Sequence, residues 1–113
     1  MGEAAGGQRI EIANSTWRPG DPALAALCSG VLAINDEDCL YLIGRNTATD
    51  LLWPADYTAE RLADGAAVVK RPNGTIAART GDRLTFGGGM VNEPPDMPRR
   101  AGTGQVLAIH HAL

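Results

Sequence analysis

The sequence predicts a small, mainly β domain: an antiparallel barrel, OB-like or SH3-like, with at most two short helices and a small β-sandwich as the alternative. Three observations predict it. Fourteen glycines and seven prolines in 113 residues favour tight reversals over long helices. Between Ala66 and Val91, turn signals follow one another. Ala66-Ala67-Val68-Val69 ends at Pro72-Asn73-Gly74, Thr75 to Arg79 ends at Thr80-Gly81-Asp82, and Arg83-Leu84-Thr85-Phe86 ends at Gly87-Gly88-Gly89. That is a three-stranded antiparallel meander in turn chemistry. Short apolar runs also recur at close spacing without a fixed period, and closing them into a barrel removes exposed edges.

Each element follows from its residues. Residues 1–7 read as a flexible lead and 8–113 as a single domain, long enough to bury its own core. Arg9-Ile10-Glu11-Ile12 alternates polar and apolar, which predicts a short half-buried strand. Asn14 to Asp21, with Trp17 and Pro19-Gly20, is a loop. Asp21-Pro22 ahead of an alanine-leucine run has the form of a helix start, with Asp21 as cap and Gly30 closing the helix. Val31 to Ile34 and Cys39 to Ile43 flank Asn35-Asp36-Glu37-Asp38 as a hairpin with a solvated tip.

Gly44 to Asp50 is polar and loop-like. Leu51-Leu52-Trp53 is a short strand stopped by Pro54, which cannot donate to a ladder. Asp56 to Asp64 is open between a helix capped by Asp56 and running through Leu62, and an edge strand over Tyr57 to Arg61. Pro72-Asn73-Gly74 allows either a two-residue turn or a type I turn with a glycine bulge, and the choice sets which side chains face inward. Asn92 to Gly104 is an irregular connection, and Gln105 to His110 a closing strand. The sum is about seven strands.

Composition narrows the function classes. A net charge of −3 lacks the broad positive field that non-specific nucleic-acid or membrane-surface binding uses. No apolar stretch reaches the roughly 20 residues of a membrane span. Met1 to Gly7 has neither a basic segment nor an apolar core, so the expected location is the cytoplasm by default, or outside the cell if a signal has been removed. Leu24-Ala25-Ala26-Leu27-Cys28 has the outline of a lipoprotein cleavage site, but Leu27 is too large and no hydrophobic segment precedes it.

The candidate chemistry is thin. Cys28 and Cys39 are too far apart in the hairpin register for a disulfide and match no zinc spacing, so both read as buried thiols. His110 and His111 point to opposite faces of a strand and cannot converge. Asp36-Glu37-Asp38 lacks the pattern of a calcium loop. Gly87-Gly88-Gly89 precedes proline-containing chain rather than a helix, so it reads as a bulge, corner or close backbone approach before a phosphate cradle.

At Cys39-Leu40-Tyr41-Leu42, Trp53-Pro54-Ala55-Asp56-Tyr57-Thr58, Asn73-Gly74, Gly81-Asp82-Arg83-Leu84 and Gly87-Gly88-Gly89, the chain resembles a family. These are uncharacterised small β-barrel, lipoprotein-like proteins of high-GC actinobacteria, whose pattern runs C-L-Y, W-P-x-G, D-G, G-D-x-V and a glycine cluster. The resemblance covers Gly30 to Val91, and here Asp56 stands where the pattern has glycine. It implies a compact β-barrel and carries over no catalytic residue.

No acid, base and nucleophile converge at any motif spacing, so the expected function is a non-enzymatic binding or interaction module without a cofactor or metal. Its ligand is an unknown protein or small molecule, at a surface near Trp53, Tyr57, Gly87, Gly88 and Gly89, with a homo-oligomer as a further possibility. The competing class is an OB-like single-stranded nucleic-acid binder using Arg71, Arg79 and Arg83. The third is a small hydrolase or metal enzyme around Cys39 and His110.

Overall fold

The computed structural model describes residues 8–21, 26–91 and 105–112, with 111 and 112 described in backbone only. Nine strands form two units: β1 (Gln8–Ile10), β2 (Ala26–Ile34), β3 (Leu40–Ile43), β4 (Ala48–Leu52), β5 (Thr58–Arg61), β6 (Ala67–Lys70), β7 (Ile76–Arg79), β8 (Arg83–Val91) and β9 (Val106–Ala112). The strands β2-β3-β4-β9-β8 close a five-stranded barrel, and β1-β5-β6-β7 make a four-stranded sheet. All pairs are antiparallel except β4 with β9. The described residues contain no helix, and none long and apolar enough to cross a membrane.

Barrel closure depends on β2, which pairs with β3 through Val31–Ile34 and with β8 through Ala26–Val31. Gly30 sits where the strand changes partners. A Cβ there would lie 2.3 Å from the carbonyl oxygen of Ile43, so only glycine lets the strands approach. The helix expected to close at Gly30 is therefore a strand from Ala26 onward, and its first turn lies outside the described residues. A two-turn helix has little stability of its own, and barrel pairing overrides it.

The glycine cluster acts likewise. Instead of ending at Phe86, β8 runs on to Val91 through Gly87-Gly88-Gly89, and its register against β9 shifts between Gly87 and Gly88. A Cβ on Gly88 would lie 1.9 Å from the Ala108 oxygen. The cluster is a bulge with close backbone approach, as its residues imply.

Two other expectations change. The meander divides: β6 and β7 form a hairpin, but β8 leaves the sheet for the barrel. The Thr80–Asp82 corner makes this possible by bonding to β2, with Gly81 N–H donating to Leu32 O (2.8 Å) and Leu32 N–H to Asp82 O (3.1 Å). In the region left open, β5 is a strand rather than a helix, and it lies between β1 and β6 rather than at an edge. The polar stretch Gly44–Asp50 also joins the barrel from Ala48, because Thr49 faces the interior and is sealed by partners there.

Three hairpin loops share one geometry. In Asn35–Cys39, Leu62–Ala66 and Arg71–Thr75, the first residue accepts a bond from the fourth, and the fourth has positive φ (Asp38 62°, Gly65 90°, Gly74 89°). This is the type I turn with a bulge, which resolves the Pro72-Asn73-Gly74 alternatives.

The sheet lies against the barrel end where β2 and β4 finish and β8 begins. Ile10, Ala59, Ala67, Val69 and Ala78 from the sheet join Leu32, Leu42, Leu51, Phe86, Leu107 and Ile109 from the barrel in one cluster, with Trp53 at the junction. Arg61 of β5 pairs with Asp38 of the β2–β3 loop across the same junction.

Candidate functional site

The segment Trp53–Tyr57 carries the chain from barrel to sheet. Trp53 N–H donates to Ala13 O (2.8 Å), Ser15 N–H donates to Trp53 O (2.7 Å), and the Asn14 amide donates to Pro54 O (2.8 Å) and Tyr57 O (3.1 Å). The N-terminal stretch thus lies along the outside of β4, where Ala13 packs with Leu52 and Val106. Asp56 takes φ +66°, in the left-handed region that favours glycine, and its carboxylate pairs with Arg18 (2.5 Å).

Trp53 is 1% exposed, so it is core as well as site floor. Its ring meets Phe86 edge-on at 5.6 Å and stacks near Tyr57 at 6.5 Å. Tyr57 is half-buried and bounds a cleft of about 110 Å³ lined by Trp53, Pro54, Tyr57, Arg71, Ala77, Phe86, Ile109 and His110. Arg71 reaches the cleft from the β6–β7 loop and is steadied by donating to Thr75 Oγ1 (3.2 Å) and Ile76 O (2.9 Å). His110 comes from β9 and stacks on Trp17 at 4.8 Å. On its other side, Tyr57 borders a wider groove of about 370 Å³ along β1, with Arg9, Ile10, Glu11, Ile12, Asn14 and Thr58.

The sequence-based site is therefore brought together in part. Trp53 and Tyr57 meet in one cleft, whereas Gly87, Gly88 and Gly89 are buried in β8 and reach it only through the adjacent Phe86. The three arginines are dispersed. Arg71 lines the cleft, Arg79 pairs with Asp64 (3.0 Å), and Arg83 lines a different groove with Arg45. The Ala66 N–H bonded to Asp64 holds that carboxyl below its ordinary range, against slight desolvation and with Arg79 adding to the lowering.

The remaining candidates stay apart. Cys39 is buried with Sγ 3.8 Å from Glu37 O, and Cys28 is half-buried with Sγ 3.7 Å from Thr49 Oγ1; both are free thiols. Among the described residues no three His, Cys, Asp or Glu side chains group as metal ligands. The side chain of His111 lies outside the described residues. Of the basic cluster expected beside Trp53 and Tyr57, Arg71 alone reaches the cleft, and nothing in the sequence places His110, with Trp17 stacked on it, there, because only the closed topology brings the last strand to the β6–β7 hairpin.

Comparison with protein-family models, curated proteins and solved structures gives no match to this chain.

Proposed function

We propose that this chain is a binding module on an OB-type barrel, with its ligand site in the cleft where the sheet meets the barrel. The observation that carries the reading is the composition of that cleft. An apolar floor of Trp53, Phe86 and Ile109 is rimmed by Tyr57, Arg71 and His110, which come from the β4–β5 connection, the β6–β7 loop and β9. Small-ligand sites have this form, an apolar pocket with a few convergent polar groups.

Size limits what enters. At about 110 Å³ the cleft is smaller than the roughly 150 Å³ enclosed cavity that accepts benzene, so it seats at most part of one planar ring or one short side chain, the rest standing in its open mouth. Arg71 favours an anionic substituent on that ring, because its guanidinium presents paired donors to a carboxylate. The ligand class is therefore a planar group bearing an acid.

Strand order supports the OB assignment. Numbered within the barrel, the order is 1-2-3-5-4 with strands 3 and 5 parallel, as in that five-stranded Greek-key barrel. A single-stranded nucleic-acid reading draws on this order alone. It is less well supported, since Arg71, Arg79 and Arg83 share no groove.

Benzoate is the minimal probe. Its titration should shift the amides of Tyr57, Arg71 and His110 saturably and perturb tryptophan fluorescence, since Trp53 lines the cleft and Trp17 stacks on its His110. Arg71→Ala should weaken binding by about tenfold, the loss of one charge-assisted contact, with the fold unchanged. Shifts confined to other surfaces, or an unaffected Arg71→Ala variant, would refute the site.

A further inference from the structure

Arg83, Val31 and Ile43 form one row across three adjacent barrel strands, because Val31 pairs with Arg83 on β8 and with Ile43 on β3. Directly opposed residues project from the same face of a sheet. Arg45 follows two residues after Ile43, in the turn closed by Gly44 N–H donating to Thr47 O (2.7 Å). Arg45, Arg83, Val31, Ile43 and Gly44 together line a surface groove of about 410 Å³. Val31 and Ile43, the latter 45% exposed, supply its apolar surface, and Arg45 and Arg83 supply two guanidinium groups.

The charge pattern sets this groove apart. Arg18, Arg61, Lys70 and Arg79 each pair with a carboxylate, whereas Arg9, Arg45, Arg71 and Arg83 pair with none among the described residues, and of these four only Arg45 and Arg83 line the same groove. Two like charges bordering one groove without a counter-ion repel, and a shared anion relieves that repulsion. Guanidinium forks suit phosphate and carboxylate oxygens, while Val31 and Ile43 offer apolar surface to the body of the ligand.

We propose that this groove is a second binding site, for an amphipathic organic phosphate whose anionic head is held by Arg45 and Arg83 and whose apolar part rests on Val31 and Ile43. It shares no lining residue with the Trp53 cleft, so either site stands or falls without the other.

Phenyl phosphate is the probe, followed by amide chemical shifts on the whole chain. Saturable shifts should appear at Val31, Ile43, Gly44, Arg45 and Arg83. Phenyl phosphate should bind about fivefold more tightly than inorganic phosphate, reflecting the ring's burial against Val31 and Ile43. Arg45→Ala and Arg83→Ala should each weaken it by roughly three- to tenfold without lowering Tm, and Arg83→Lys should fall between, keeping the charge but losing the fork. Equal affinity for the two phosphates would overturn the amphipathic assignment. No saturable shift, or shifts that survive both alanine variants, would overturn the site.

Discussion

Gly88 shows how a single side chain can be excluded by topology. The Ala108 oxygen occupies the space a Cβ would need, at 1.9 Å, and it belongs to backbone that the β8–β9 ladder holds in place. Overpacking of this kind costs about 1–3 kcal/mol, and an obstacle of backbone belongs at the upper end. Gly88→Ala is therefore expected to lower Tm by roughly 10–20 °C, as thermal unfolding followed by circular dichroism would measure. A variant melting with the parent would mean that β8 and β9 can separate without cost. Reading the cluster as a close approach was within reach of sequence, because three glycines after an apolar run have few other uses. Which strand approaches was not, since Ala108 lies on the far side of a connection rich in proline.

At the scale of the element, the turns were the most legible part of the chain. Asn35–Asp38 and Pro72–Gly74 sit where their residues place them, because turn chemistry is local. The segment Asp56–Asp64 stayed ambiguous because nothing local separates a short helix from a strand; β1 and β6 decide it by pairing on both sides. Asp56 itself carries a testable tension. A non-glycine residue at φ +66° costs of order 1–2 kcal/mol, less for Asp than for most, while an exposed ion pair such as that with Arg18 returns about 0.2–1 kcal/mol. Asp56→Gly should thus stabilise the fold, by up to about 1 kcal/mol in denaturant midpoint analysis, although it removes the pair. Destabilisation would show that the Arg18 contact anchors the N-terminal stretch more firmly than an exposed pair should.

Across the whole molecule, the question is whether the sheet and the barrel are one folding unit or two. Turn signals alone suggested one curled sheet, and they could not show that the chain leaves the sheet at Thr80–Asp82, because both paths use the same residues. What joins the two units is buried contact: Val69 of the sheet and Leu107 of the barrel are each fully buried in the same cluster, with Trp53 between the units. A shared core couples the two units, since the apolar face of the four short strands is covered by the barrel. Val69→Ala should cost about 2 kcal/mol and Leu107→Ala about 2–5 kcal/mol. Each should move a single transition, with far-ultraviolet dichroism and Trp53 fluorescence falling together. If Val69→Ala instead split the two probes, with the fluorescence change preceding loss of the barrel signal, the sheet would be a separable cap. The cleft at its junction with the barrel would then open before the barrel unfolds, and ligand in that cleft would raise only the earlier transition.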